Sequence, residues 1–430
     1  MKRMTAAALF LALGATTQAS QAAEPDGLVL PSGFHAMVVN DGLGTHARHL
    51  AVRANGDVYV STLNFASFAH PETPHTGIIA LRPGKDGKLT AVDHFGGVDN
   101  GTGIAFYKDA LYAASPTAIW RYSFAGKELM PSAAPERIVD GMPTGGSPSH
   151  GIAFDGKGHM FLSVAGVSNN CVDEEASKSS PHPIGLKPCP ELATRAGIWR
   201  FDAAKQDQKF PADGEQIATG IRDMEALEWS SDRGGLYAAM QGRNAVARAL
   251  DNTLPASTDD DLVAEEMHRV DKGTDFGWPY TYYDYTKKMR MNAPEYGGDG
   301  KTQADAKYSD PVAAFPAHAS PLEIAFYDGK QFPKTYRGGV FVALHGGLGA
   351  DLPGGRHGYE VKFVPFDKAG KAGEPQDFIE GFAGPDASFK NAGKAMYRPM
   401  GLAVAPDGSL YVLDGSKGRV WRIRYDGKAG

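Results

Sequence analysis

Six copies of one short pattern constrain this chain more than any other feature of its 430 residues. The clearest copy spans residues 398–425, RPMGLAVAPDGSLYVLDGSKGRVWRIRY. It reads as three strands in a row (401–405, 409–413 and 419–425), separated by a Pro406-Asp407-Gly408 turn and a second turn that runs from Gly415 to Gly418. Each run alternates small or β-branched residues with polar ones, and each break carries the glycine chemistry that tight hairpins need, so the segment is a β-meander. Its first half recurs at His49-Leu50-Ala51-Val52 with Val58-Tyr59-Val60, and at Gly103-Ile104-Ala105-Phe106 with Ala110-Leu111-Tyr112-Ala113. Further copies are Gly151-Ile152-Ala153-Phe154 with Met160-Phe161-Leu162-Ser163, Glu225-Ala226-Leu227-Glu228 with Gly235-Leu236-Tyr237-Ala238, and Glu323-Ile324-Ala325-Phe326 with Gly339-Val340-Phe341-Val342. Six meanders cannot each bury their own faces, but arranged radially they bury them against one another and leave only short edges. The expected fold class is all-β, a six-bladed β-propeller with loop insertions. A lone strand at 33–40 precedes the first copy; pairing it with the meander that ends at Tyr425 would close the ring, and a free N-terminal arm is the alternative.

Residues 1–23 read as a signal peptide: Lys2 and Arg3, an apolar run over 4–15, then small and polar residues to Ala22-Ala23. Residues 24–430 are then one propeller domain, exported to a periplasmic or extracellular location. No other apolar run approaches the roughly 20 residues a transmembrane segment needs. The formal charge of −6 becomes −8 without Lys2 and Arg3, the opposite of the basic footprint that nucleic-acid binding requires.

Candidate chemistry lies just before the inner strands, where each repeat enters the propeller axis. His150, at the end of Ser147-Pro148-Ser149-His150, is placed at the mouth of the central channel, where an imidazole can act as a general base near neutral pH. Arg222, in Gly220-Ile221-Arg222-Asp223, holds the equivalent place one blade later. A fixed guanidinium there suits an oxyanion or a carboxylate; a structural pairing with Asp223 or Glu225 is the alternative. An insertion over 166–195 contains the two cysteines, Cys171 and Cys189, which in an exported chain favour a disulfide over free thiols. No Cys-x-x-Cys-His motif occurs, so no c-type haem is attached. His70 and His75 sit in a polar loop without a partner, and the Asp259-Asp260-Asp261 run lacks the spacing of an EF-hand loop, so both read as solvated.

Four stretches in order resemble the soluble pyrroloquinoline-quinone (PQQ) sugar dehydrogenases, in the glucose/sorbosone dehydrogenase branch, over most of the chain. Ser149-His150 followed by Ser163-Val164-Ala165-Gly166 resembles the segment with the catalytic histidine, and Gly220-Ile221-Arg222-Asp223 resembles the family's Gly-Leu-Arg-Asn. Gln241-Gly242-Arg243, Asp260-Asp261-Leu262 and Gly277-Trp278-Pro279-Tyr280 resemble the calcium and cofactor region; 332–366 with Arg398-Pro399 resembles the last two blades. Two positions depart from the pattern. Asp223 replaces an asparagine and cannot donate an amide hydrogen bond, and the loop after His345-Gly346 reads Gly347-Leu348-Gly349-Ala350-Asp351, without the usual arginine.

The resemblance implies PQQ and Ca²⁺ as cofactors and a sugar or related aldose or aldehyde as substrate. The metal would be held by the backbone carbonyls of Gly242 and Arg243. His150 would take the substrate's hydroxyl proton during hydride transfer, and Arg222 would stabilise the charge on the quinone. Arg222, Asp223 and His345 would face the cofactor, with Arg356, or else His357, standing in for the missing arginine; His345 is also the second candidate for the base. A separate cytochrome or quinone would accept the electrons, and rim loops such as 282–307 would set the sugar. A calcium-dependent lactonase-like hydrolase and a non-catalytic ligand-binding propeller are the alternatives.

Overall fold

The structure, a computed structural model, describes residues 21–23, 26–44, 47–63, 77–96, 101–180, 182–251, 262–347 and 357–428. Most of the expected signal peptide, His70, His75, the acidic run at 259–261 and Arg356 therefore lie outside the described residues. Six sheets of four main antiparallel strands succeed one another along the chain. Their inner strands are Ala47–Val52, Ile104–Tyr107, Ile152–Phe154, Asp223–Ser230, Pro321–Phe326 and Pro399–Val404, and each packs against the inner strands of the blades on either side. Every meander read from the sequence supplies the first two strands of one blade, and the six-bladed propeller is the fold observed.

The ring closes as the lone N-terminal strand suggested. Phe34–Asp41 is the outermost strand of the sixth blade and pairs antiparallel with Arg419–Tyr425, from Phe34 opposite Tyr425 to Asp41 opposite Arg419. Asp41 and Arg419 also form a two-point ion pair at 2.9 and 2.6 Å. Inside this seam Phe34 meets Phe332 and Phe378 edge to face, with ring centroids 4.8 and 5.1 Å apart. The closure therefore joins chain ends through both ladder hydrogen bonds and an aromatic core.

Neighbouring blades are stitched at the hub by a repeated device. In the first blade Ser61 Oγ accepts the His49 N–H (3.2 Å) and donates to the Thr102 carbonyl at the entry of the second (2.6 Å). In the third, Ser163 Oγ accepts the Gly151 N–H (2.7 Å) and donates to the Met224 carbonyl of the fourth (2.9 Å). These hydroxyls occupy the same place in their repeats, so one buried residue satisfies backbone groups of two sheets. Close approach is what makes this possible. A Cβ at Gly151 would lie 2.2 Å from the Glu225 carbonyl oxygen, so the third and fourth inner strands touch backbone to backbone.

The insertion is tied down rather than loose. Cys171 and Cys189 form the expected disulfide, 18 residues apart, and are buried with Ala196 and Trp278. The Trp278 indole N–H donates to the Asn169 carbonyl (3.0 Å) and the Cys189 N–H to the Tyr280 hydroxyl (2.9 Å), so the insertion from blade three packs on the loop that follows blade four. No helix among the described residues is long and apolar enough to cross a membrane.

The close approach at Gly151 makes a direct test. Gly151→Ala should lower the unfolding free energy by about 2 kcal/mol, because the new methyl group meets the Glu225 carbonyl and the Leu227 Cβ of the next blade. Gly42→Ala, where a Cβ would meet nothing within 4 Å, should leave the denaturation midpoint unchanged. Equal midpoints for the two variants would contradict this packing.

Candidate functional site

Aligning the six repeats on their inner strands places His49, Gly103, Gly151, Glu225, Glu323 and Gly401 at one equivalent position, facing the axis. Three glycines let the strands converge there, and the other three side chains fill the hub. His49 Nδ1 lies 2.7 Å from Glu323 Oε2, and Nε2 lies 3.0 Å from Glu225 Oε2. Both partners are carboxylates, so both ring nitrogens donate and His49 is an imidazolium. Burial opposes its charge, but the charge of Glu323 and hydrogen bonds to both glutamates push its pKa up to about 9.

This triad divides the axis. A cavity of about 520 Å³ is lined by His49, Glu225 and Glu323 and then by residues further along the same strands, including Phe106, Phe154, Glu228 and Phe326. His150, Arg222 and His345 do not line it; they precede the inner strands or lie in the loops on the triad's other side.

On that side His150 is buried, 1% exposed, with Nδ1 2.9 Å from the Ser163 carbonyl. Both ring nitrogens face carbonyls, which only accept; the shorter contact, to Ser163, holds the proton on Nδ1 in the neutral ring, and Nε2 lies 3.3 Å from the Pro116 carbonyl. Burial lowers the His150 pKa from its ordinary value, and the two carbonyls and the charge of Glu225 oppose that shift. Because Ser163 holds His150 through its carbonyl and the strand of Arg222 through its hydroxyl, it spans the two blade entries.

The backbone of Arg222 is fixed on both sides: its carbonyl accepts the Gly166 N–H (2.7 Å), and its N–H points at Met240 Sδ (3.4 Å). Its Nη1 donates to the Gly242 carbonyl at 3.1 Å, while Nε is buried without a hydrogen-bond partner. Next to it, Oδ1 of Asp223 is also buried and unpaired. Burial pushes the Asp223 pKa up to about 6, against the pull of Arg222. The Gly242 N–H donates to Glu265 Oε2 (2.7 Å), and Glu265, whose other oxygen accepts the Ser320 N–H, is raised by burial to about 7. Arg243 contributes backbone alone, since its guanidinium turns away into a buried two-point pair with Glu295 (2.5 and 2.9 Å). Asn169 of the insertion pins the next residue, giving and receiving 2.9 Å hydrogen bonds with the Asn244 backbone.

Arg398, noted in the sequence only as a landmark, and Arg48 belong to the same face. Arg398 donates to the carbonyls of His345 (3.2 Å) and Gly346, and Arg48 donates to the Gly415 carbonyl (3.4 Å). Burial, reinforced by the charges of Arg398, Arg48 and His49, holds the His345 pKa well below its ordinary value. Arg398 thus holds the backbone where the loop after His345 begins; Arg356, expected further along that loop, lies outside the described residues. The face combines three guanidiniums with carbonyl and carboxylate oxygens. Guanidiniums suit a carboxylate-rich ligand, and hard oxygen donors suit Ca²⁺, so these residues fit both groups implied by the resemblance.

Fold and site together define a six-bladed propeller with its polar site at the entries of the inner strands. The chain belongs to the TrAA12-like family, whose model matches residues 28–426. Among solved structures, it is similar to the holo form of the pyranose dehydrogenase PQQ domain from Coprinopsis cinerea (16% identity, 94% of this chain and 98% of that one, TM-score 0.71). It is similar also to a Trichoderma reesei carbohydrate-active enzyme of family AA12 (16% identity, 95% and 99%, TM-score 0.73). The soluble aldose sugar dehydrogenase of Escherichia coli superposes less closely (15% identity, 91% and 99%, TM-score 0.59). At these identities the likeness is one of fold. An uncharacterized protein of Borreliella burgdorferi is 25% identical over 214 residues, so the match spans about half the length of each chain.

The triad predicts a pH dependence of stability. A raised histidine pKa contributes stability that is fully present below about pH 6.5 and is lost as pH rises through about 9. Chemical denaturation between pH 6 and pH 10 should show the wild type losing about 3 kcal/mol relative to His49→Gln. Parallel profiles for the two proteins would remove the imidazolium from the hub.

Proposed function

We propose that this protein is a PQQ- and calcium-dependent sugar dehydrogenase, working at the face that carries His150, Arg222 and Arg398. The observation that carries this reading is the setting of His150: a buried imidazole held through Nδ1 by the Ser163 carbonyl, at the blade entry next to that of Arg222, whose guanidinium donates to the Gly242 carbonyl. Membership of the TrAA12-like family and a fold shared with a PQQ domain support it.

In this mechanism the sugar binds with a hydroxyl toward Nε2 of His150. The neutral ring takes the hydroxyl proton, and the Ser163 carbonyl stabilises the imidazolium by keeping Nδ1–H bonded. Arg222 and Arg398 orient carboxylates and offset the negative charge that develops during reaction. When bound, PQQ supplies the hydride acceptor and Ca²⁺ the Lewis acid. The carbonyls of Gly242 and Arg243 and the carboxylate of Asp223 would hold the metal. The insertion 166–195 walls one side and excludes water. A separate cytochrome or quinone then takes the electrons. The disulfide and the N-terminal segment 1–23 support a periplasmic or secreted location.

The experiment is reconstitution of the purified protein with CaCl₂ and PQQ, followed by dye reduction with pyranoses, other aldoses and aldehydes. Reduction that needs both additions supports the proposal, lactone hydrolysis without quinone would replace it with the hydrolase, and binding without turnover would favour a ligand-binding propeller. His150→Ala should cut kcat by about 10²-fold or more; because the ring is buried and bonded to the Ser163 carbonyl, the denaturation midpoint should also fall, and the rates are compared well below it. Since the lowered pKa keeps His150 neutral until the solution is acidic, the acid limb of the wild-type rate profile should fall below pH 6.5. A limb above pH 7, or full activity in His150→Ala, would assign the base elsewhere.

A further inference from the structure

The guanidinium of Arg222 sits on the same carbonyl that the proposed calcium site requires. Its Nη1 donates to Gly242 O at 3.1 Å. The backbone around this contact is clamped: the Arg222 carbonyl is held by Gly166, the Gly242 N–H by Glu265, and a Cβ at Gly242 would lie 2.5 Å from the Ala264 carbonyl oxygen. Any rearrangement at the carbonyl therefore falls to the arginine side chain. Beside it, Asp223 lies opposite Gln241 in the strand register and so adjoins Gly242, with Oδ1 buried and unpaired. A buried carboxylate oxygen without a donor is costly unless a cation or a hydrogen bond meets it.

We propose that Arg222 and a divalent cation exclude each other at the Gly242 carbonyl, with the Asp223 carboxylate as the anionic ligand that draws the metal in. Two cations cannot share one carbonyl oxygen without strong repulsion, so metal loading releases the guanidinium. The freed side chain is then available to an anionic ligand on the face it shares with His150. Calcium thus has a second role beside any direct one: it sets the position of the arginine. Asp223 explains why a carboxylate stands where an amide would serve as a hydrogen-bond donor, since only the charged side chain offers the metal an anionic oxygen. This inference rests on the proposed calcium dependence and adds the residues and the competition that govern it.

The test is calorimetric titration of the quinone-free protein with CaCl₂, with the calcium-dependent shift in thermal midpoint as a second reading. Arg222→Ala should bind calcium at least tenfold more tightly than wild type, and Arg222→Lys, which keeps a competing cation, should stay near wild type. Asp223→Asn should bind at least tenfold more weakly and show little thermal shift. An Arg222→Ala protein with unchanged or weaker affinity, an Asp223→Asn protein with wild-type affinity, or no binding in wild type and Arg222→Ala alike would overturn the inference. Reconstitution with PQQ separates the two claims. Calcium-dependent dye reduction with no arginine competition defeats this inference alone, whereas competition without dye reduction defeats the sugar dehydrogenase reading.

Discussion

His49 donates both ring N–H groups to carboxylates from the far side of the propeller, Glu225 in blade four and Glu323 in blade five. Where six sheets narrow toward one axis, polar groups that become buried must satisfy one another or lose the hydration they had in the unfolded chain. The imidazolium meets that constraint for two glutamates at once. It links the first blade, next to the closing seam, with two blades opposite, and it separates the lower cavity from the face of His150 and Arg222. Removing one member would leave buried charge without compensation, a larger loss than the pair itself contributes.

Much of the electrostatics of the upper face follows from this floor. Glu225 lies three residues beyond Arg222, and its charge favours protonation of His150 and of Asp223. Burial lowers the pKa of Arg48, one residue before His49, against the charges of Glu225 and Asp414. The charged hub and the face proposed for the cofactor are therefore built from neighbouring residues, with His49, Glu225 and Glu323 at the hub and the proposed functional groups at the entries. The insertion adds a wall, and Asn169 extends its control to the carbonyl segment at 242–244.

The fold was legible because propeller repeats are local: a period of two, a glycine turn and a second short strand all fall within about 15 residues of one another. Closure by residues 33–40 and the Cys171–Cys189 bridge were equally readable. Placement of His150 and Arg222 at neighbouring entries followed from the repeat. The triad was not legible by inspection, because His49 lies 176 residues from Glu225 and 274 from Glu323. Its signal was present all the same: one column of the aligned repeats reads His, Gly, Gly, Glu, Glu, Gly, and three charged residues among glycines at an axial position mark a hub. Arg243 drew attention for its backbone, and nothing local reveals that its side chain leaves for Glu295, 52 residues away. Arg398 passed as a landmark and Arg48 drew no notice, because an arginine's role depends on which carbonyls surround it, and those come from distant loops.

The central claim is that chemistry occurs on the His150 side of the triad and that the lower cavity takes no part. A crystal structure of the protein grown with CaCl₂ and PQQ tests it most directly. The account predicts quinone density over the His49–Glu225–Glu323 floor, within hydrogen-bond reach of His150, Arg222 and Arg398. Quinone seated instead in the cavity lined by Phe106, Phe154 and Phe326 would contradict it.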